Sequence, residues 1–219
     1  MNICQVATLL YLLTSPLSGQ TVLYYESNTS NKTVSTHWSI TEQGQALAII
    51  GLSSDKSSTT LTTQLNCSLD AFEQKDPGKE YELSAKREGG MLSVTGLIKQ
   101  IRKTKNYQID DQPWIQEFAF GFKDFLSSTD REYKFEILQP QSLDLHDMIA
   151  TKEQIDEVRI DDKVYQAQKL KITLQGFRKR FWKAEAWYDI QTKNLVRYKA
   201  NEGPGTPITD MILLEPRKT

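Results

Sequence analysis

The side chains that could perform acid-base or metal chemistry are few and widely spaced in this sequence. The two histidines, His37 and His146, lie in different predicted strands, and neither stands at a metal-ligand spacing from Cys, Asp or the other histidine. Ser53 is not part of a Gly-x-Ser-x-Gly turn, and the chain has no phosphate-binding glycine loop and no His-Glu-x-x-His motif. We therefore predict a protein that is not an enzyme, with no catalytic residues, no metal site and no cofactor.

Carboxylates are the other candidates for chemistry. The Asp pairs at 110–111 and 161–162 precede predicted turns, where Asp is favoured because it hydrogen-bonds to its own backbone. Asp147 differs, because it interrupts an apolar alternation that includes Leu145 and Ile149. A carboxylate on an apolar face destabilises the fold unless it has a partner. We expect a neighbouring Arg or Lys to pair with Asp147.

The first residues have the features of an export signal. Residues 1–19 carry no charged side chain, contain the apolar run 6–13 and end in small residues before Gln20. This run is too short to span a membrane, which takes about 20 apolar residues. We therefore predict a signal peptide at 1–19 and an exported mature protein, periplasmic or extracellular, with no transmembrane segment. Cys4 would leave with the leader, so Cys67 would remain as a lone thiol, which cannot form an internal disulfide.

The composition is typical of a globular domain. Hydrophobic residues make up 38% of the 219 residues and charged residues 25%, and 27 Lys and Arg balance 28 Asp and Glu. This balance gives no electrostatic reason to expect nucleic acid as a partner. One local basic cluster, Arg-Lys-Arg at 178–180, could contact an anionic headgroup or form a solvated crossing between strands. Because no linker or repeat divides the chain, we predict one monomeric domain at 20–219.

Short runs rich in Val, Ile, Thr, Tyr and Phe alternate with turn residues about every ten residues. In 81–87 and 91–98, apolar residues recur at every second position on either side of a Gly-Gly turn, which predicts a hairpin with one buried face. In 164–175 the apolar phase changes near Gln168, which predicts a β-bulge or a bend there. The sequence thus predicts a mainly β fold built from an antiparallel sheet.

One segment departs from the β pattern. Trp114, Phe118, Phe122 and Phe125 recur with a period close to that of a helix, just after a proline. We predict one short helical segment near 113–126 that lies across the sheet. A strand or an irregular loop remains the alternative, because the segment also contains a glycine and an alternating run of Phe.

Several segments carry a family resemblance. They are residues 58–63 (Ser-Thr-Thr-Leu-Thr-Thr), 85–89 (Ala-Lys-Arg-Glu-Gly), 109–115 (Ile-Asp-Asp-Gln-Pro-Trp-Ile), 174–177 (Leu-Gln-Gly-Phe), 181–188 (Phe-Trp-Lys-Ala-Glu-Ala-Trp-Tyr) and 203–207 (Gly-Pro-Gly-Thr-Pro). They resemble a family of exported bacterial proteins of unknown function, which is similar in fold to the Lol-type lipoprotein-localisation carriers. The resemblance implies a strongly curved antiparallel sheet that forms an incomplete, half-open barrel around an apolar cavity, with 113–126 as its lid.

These features favour a non-catalytic protein that binds an apolar or amphipathic, lipid-like ligand on the concave face of the sheet. The candidate ligand-binding residues are Trp114, Phe118, Phe122, Phe125, Tyr188 and Tyr198. Two alternatives remain open. The first is a structural or interaction protein of the bacterial envelope that docks partners through a sheet edge. The second is an enzyme of unknown type.

Overall fold

The computed structural model describes residues 20–30, 32–64, 68–98, 100–109, 112–176, 182–201 and 206–214. The predicted signal peptide at 1–19, Cys67, the Asp pair at 110–111 and the basic cluster at 178–180 lie outside these residues. Among the residues described, no helix is both long enough and apolar enough to cross a membrane.

The described residues form 14 strands in one antiparallel sheet. The strands are β1 Gln20–Thr29, β2 Lys32–Gln43, β3 Ala46–Ser53, β4 Ser58–Gln64, β5 Leu69–Asp76, β6 Tyr81–Glu88, β7 Met91–Ile98, β8 Ile101–Gln108, β9 Glu132–Gln139, β10 Asp144–Ile160, β11 Lys163–Leu174, β12 Lys183–Asp189, β13 Leu195–Asn201 and β14 Ile208–Leu214. A 3-10 turn spans Pro77–Lys79 and one α-helix, α1, spans Lys123–Ser127.

The sheet is a meander in which each strand pairs with its neighbour in sequence, except at two places. The first strand pairs with the last, β1 with β14, so that β8 and β9 become the two edges of the sheet. These edges do not pair with each other, and the sheet is not closed. The predicted fold class is confirmed: a mainly β protein with one open antiparallel sheet and one short helix.

The two edge strands of the sheet differ in whether their free backbone groups have hydrogen-bond partners. Residues 113–116 run beside β9, because Ile115 N–H donates to the Glu136 carbonyl at 2.9 Å and Glu136 N–H donates to the Pro113 carbonyl at 2.8 Å. The side chain of Gln116 extends this pairing, since it donates to the Leu138 carbonyl at 2.9 Å. These bonds satisfy backbone groups that an edge strand would otherwise leave unpaired, so residues 113–116 cover the edge of β9. Within the described residues, no strand pairs with the edge of β8 that faces away from β7.

One side of the sheet, here called the inner face, carries the main hydrophobic core. The predicted hairpin is confirmed as β6 and β7, and the predicted alternation buries Leu83 and Ala85 on one strand and Leu92 and Val94 on the other. A second, smaller core lies on the outer face. There the half of the β10–β11 hairpin next to its turn, residues 158–167, packs with Trp187 of β12 and Val196 of β13. There the indole N–H of Trp187 donates to an Asp156 carboxylate oxygen at 2.8 Å.

The predicted β-bulge near Gln168 is present, but the inserted residue belongs to β10, the strand that pairs with β11. The pairing of β10 with β11 shifts between Lys152 and Ile155, opposite Gln168. The Gln168 amide donates to the Glu153 carbonyl at 2.8 Å and so satisfies a backbone group that the bulge leaves unpaired.

The predicted apolar environment of Asp147 is wrong. Asp147 is exposed, and the inner face of β10 instead carries Met148 and Ala150, which are buried. The prediction assigned the odd-numbered residues of β10 to the buried face, because Leu145 and Ile149 are apolar. In the structure both of these side chains are only partly buried. Asp147 therefore needs no charged partner to offset burial.

Candidate functional site

Residues 112–131, here called the crossing segment, connect the two edges of the sheet and pack against its inner face. Only its last part is helical, as α1, and the helix is therefore shorter than the predicted 113–126. The reason lies in the first part, where the backbone of residues 113–115 bonds to β9 and so cannot form helical bonds. Of the four aromatics with a helical period, Phe125 lies in α1, whereas the other three belong to the part of the segment that is not helical.

Gly121 allows the crossing segment to fold tightly upon itself. A Cβ atom at this position would lie 2.5 Å from Cγ2 of Ile115, closer than real Cβ atoms approach. Ile115 is itself buried, so the side chain has little room to move away. The glycine that weakened the helix prediction is therefore required for packing.

Four of the six predicted ligand-binding aromatics are buried among the protein's own side chains. Phe122 makes an edge-on contact with Phe135 at 5.3 Å between ring centroids and another with Tyr188 at 6.0 Å. The exposed fraction of the four side chains is at most 2%, and they are Trp114, Phe122, Phe125 and Tyr188. In this arrangement the centre of the inner face is filled by the crossing segment.

The crossing segment is held to both halves of the sheet. The Tyr188 hydroxyl donates to the Phe118 carbonyl at 2.9 Å, and burial raises the pKa of this phenol well above its usual value. On the other side, Phe120 packs edge-on against Trp38 of β2 at 5.0 Å. Contacts with β12 and with β2 thus fix the position of residues 118–120.

The other two predicted aromatics, Phe118 and Tyr198, line an accessible pocket. Their ring centroids are 5.8 Å apart and both side chains are partly exposed. The pocket has a volume of about 270 Å³. Its lining residues come from the crossing segment and from three strands, β1, β13 and β14: Ser27, Gln116, Glu117, Phe118, Ala119, Tyr198, Thr209 and Met211.

Glu117 is the residue of this pocket that the sequence analysis missed. Its carboxyl group has no hydrogen-bond or ion-pair partner within the described part of the chain, and the surrounding protein raises its pKa to about 7 by desolvation. A signal was present in the sequence, because Glu117 is an acidic residue inside the aromatic run Trp-Ile-Gln-Glu-Phe-Ala-Phe. Such a residue in the lining of a cavity is a candidate for ligand recognition.

Larger cavities also lie elsewhere among the described residues. One of about 480 Å³ is lined by polar groups such as Asp70, Arg87 and Asp124, on the opposite side of the crossing segment. Another of about 410 Å³ lies on the outer face between the β10–β11 hairpin and β1, with Val22 and Val164 in its wall. Neither contains any of the predicted aromatic residues, so the pocket beside Phe118 and Tyr198 is the best candidate site.

The histidines lie apart from this pocket. The ring of His37 stacks on Tyr24 at 5.0 Å, and Nε2 of His146 lies 2.9 Å from the Gln139 side-chain oxygen. Within the residues that the structure describes, no group of three or more His, Cys, Asp or Glu side chains could hold a metal ion.

Comparison with known proteins supports the fold. No protein-family model matches the sequence, and no curated protein matches it either. Among solved structures, the chain is similar to a β-barrel-like protein of the domain of unknown function DUF1849 from Brucella abortus, with a TM-score of 0.57 and 9% identity over 89% of this chain and 95% of that one. An identity this low shows a shared barrel-like fold and nothing about activity.

A weaker structural match is the hypothetical lipoprotein YmcC from Escherichia coli K12. Its TM-score is 0.45 at 13% identity, covering 93% of this chain and 87% of that one, and we draw no conclusion from it. Neither match is to a carrier of the Lol type, so that part of the sequence resemblance stays a prediction.

Proposed function

We propose that this chain is an exported, non-catalytic binding protein for an apolar or amphipathic, lipid-like ligand, held on the inner face of the sheet beside Phe118 and Tyr198. The observation that carries this proposal is the accessible pocket of about 270 Å³ with two aromatic rings and the Met211 thioether in its wall. Burial of apolar ligand surface against such a wall contributes about 25 cal/mol per Å². The barrel-like match supports the fold on which the proposal rests.

The size of the pocket limits which part of a ligand it accepts. Pockets for drug-sized ligands measure about 300–1,000 Å³, whereas this one measures about 270 Å³. It therefore suits one end of an amphiphile or a small apolar molecule. A long alkyl chain could enter the filled centre of the inner face only if the crossing segment moved away from Phe135 and Tyr188.

A pair of variants tests the pocket. Ser27 is in the pocket wall, whereas its neighbour Asn28 is exposed on the other face of the same strand. The probe is N-phenyl-1-naphthylamine, an uncharged dye that fluoresces in apolar sites. We expect the protein to bind it, Ser27→Phe to weaken binding about tenfold or more by filling the pocket, and Asn28→Phe to leave binding unchanged. Binding that is equal in all three proteins would contradict the proposed site.

Native mass spectrometry of the protein purified from its own envelope tests the nature of the ligand. We expect a co-purifying small amphipathic molecule that is lost in Ser27→Phe and retained in Asn28→Phe. Recovery of the protein from the cytoplasm with its residues 1–19 intact would overturn the proposed export.

The second candidate function is docking of an envelope partner through a sheet edge, and the observation that favours it is β8. Every residue of β8 is at least partly exposed, Ile101 is 60% exposed, and the strand carries three basic residues. An extended acidic segment of a partner protein could add to such an edge by backbone pairing.

Photo-crosslinking in the producing cell tests this alternative. Thr104 lies on the edge strand β8. The strand register connects it, one paired residue per strand, to Thr60 of the interior strand β4, which serves as the control position. Docking through the edge predicts crosslinks to a defined envelope protein from a photoreactive residue at 104 and none from one at 60. Equal labelling at both positions would argue against edge docking.

A further inference from the structure

The polar groups of the candidate pocket differ in whether they already have partners. The Gln116 amide binds the backbone of Leu138, and the Thr209 hydroxyl lies 2.7 Å from that of Thr29. Glu117 has no such partner within the described residues, and its side chain also borders the narrow gap between the crossing segment and β4. The pocket thus presents one uncompensated acidic group beside two aromatic rings.

We propose that this pocket recognises an organic ammonium group, the cationic head of an amphiphile, with Glu117 as the counter-ion and the rings of Phe118 and Tyr198 around the cation. This inference rests on the proposed function and names the chemistry of its ligand. A cation over the face of an aromatic ring is attracted by the ring quadrupole, and the attraction is stronger when the site excludes water. An ion pair with a desolvated carboxylate adds to it.

Other headgroups fit the same pocket less well. An anionic head would meet the carboxylate of Glu117 at close range, and a like charge in a partly desolvated site opposes binding. A neutral sugar or hydroxyl head could donate a hydrogen bond but would leave the charge of Glu117 uncompensated. Among the lining residues, Glu117 is the one charged side chain, so nothing in the wall offsets it.

The preference for a cation should depend on pH. Burial raises the pKa of Glu117 to about 7, so the carboxylate is ionised above that pH and largely protonated well below it. The other titratable group in the lining is the Tyr198 phenol. The nearby charges of β13 and β14 point to the outer face, where Arg197 and Lys199 pair with Asp210 at 2.6 Å and 3.4 Å.

Three amphiphiles with the same tail test the proposal: dodecyltrimethylammonium, dodecyl maltoside and dodecyl sulfate, each below its micellar concentration. Their affinities are measured by displacement of N-phenyl-1-naphthylamine at about pH 8 and about pH 5. We expect the ammonium compound to bind about tenfold more tightly than the maltoside at the higher pH. At the lower pH this ratio should fall toward unity, because protonated Glu117 offers no charge.

The variant Glu117→Gln should lose the ammonium preference at both pH values, measured as the ratio of the ammonium and maltoside affinities within that variant. The control Glu26→Gln, in the same region of β1 but on the outer face, should keep the preference. Equal binding of ammonium and maltoside heads, or tighter binding of the sulfate, would overturn this inference and leave the proposed function in place. Failure of the dye and of all three amphiphiles to bind would instead overturn the proposed function.

Discussion

At the residue scale, Glu117 links the stability of the fold to pH. Its pKa rises from 4.5 to about 7 on folding, so between these values the folded state binds more protons than the unfolded state. The free energy of unfolding attributable to this group therefore falls as the pH rises through that window. The side chain keeps some exposure, and solvent screening reduces the effect. The pKa shift of Glu117 therefore changes the free energy of unfolding by about 1–3 kcal/mol across this pH range.

The variant Glu117→Gln should remove this dependence. Urea unfolding at a series of pH values is expected to show equal stability of variant and wild type near pH 4, and a variant more stable by about 1–3 kcal/mol near pH 8. Carboxylates whose pKa is lowered, such as Asp55 and Asp210, add the opposite slope at acid pH, but they cancel in the difference between the two proteins. A difference that does not change with pH would show that Glu117 is not desolvated.

The residue scale also shows where sequence reasoning about the site succeeded and failed. The six aromatic residues predicted from the sequence do belong to or pack against the main core of the inner face, but the pattern could not separate buried Phe122 from pocket-lining Phe118. Exposure is a property of the packed core, and a period of hydrophobic residues does not encode it. Glu117 was not predicted as a site residue, because a single acidic residue within an apolar run is usually exposed to solvent. Its desolvation becomes evident only from the residues packed around it.

At the element scale, the crossing segment depends on the close approach of Gly121 to Ile115. Gly121→Ala places a Cβ where Ile115 already lies at 2.5 Å. Overpacking of this kind costs about 1–3 kcal/mol, because Ile115 is buried and cannot move without disturbing the bond between its N–H and the Glu136 carbonyl. Urea unfolding should therefore give a lower midpoint with an unchanged slope.

Two further proteins make this prediction specific. Gly90→Ala is the control, because a Cβ there would lie 3.6 Å from the Ile109 carbonyl oxygen, an ordinary contact. We expect it to be within about 0.5 kcal/mol of the wild type. Truncating the neighbour removes the clashing Cγ and Cδ atoms, so Gly121→Ala combined with Ile115→Ala should lose less stability than the two single changes added together. Strict additivity would contradict a direct contact.

The elements themselves were predictable where one face of a strand is apolar. The β6–β7 hairpin has such a face on both strands and was predicted, whereas β8 has no apolar alternation, because it lies at the edge of the sheet and six of its eight residues are exposed. Strand β13 contains an irregularity that apolar alternation does not reveal. A bulge between Trp187 and Tyr188 pairs Tyr188 with Leu195, so Val196 joins the outer core rather than the inner wall.

At the scale of the whole molecule, the pairing of the first strand with the last determines how the sheet is completed. Six residue pairs, from Tyr24 with Leu214 to Thr29 with Thr209, join β1 to β14. Among the described strands, backbone pairing joins the two halves of the meander, β1–β8 and β9–β14, only at this place. The crossing segment connects them a second time through Phe120 against Trp38 and through the Tyr188 hydroxyl on the Phe118 carbonyl. The pocket lies where these two connections come together.

The last strand should therefore be required for the fold of the entire chain. A chain that ends after Asn201 lacks β14, and it leaves β1 and β13 with unpaired edges and removes Met211 and Leu213 from their contact with the core. Unpaired edges next to exposed apolar surface favour aggregation, so we expect loss of cooperative thermal unfolding and elution as aggregates in gel filtration. A chain that ends after Leu214 keeps every strand pair described above and should unfold cooperatively. If the shorter chain remained a monomer with a cooperative transition, the pairing of β1 with β14 would not be required to hold the two halves together.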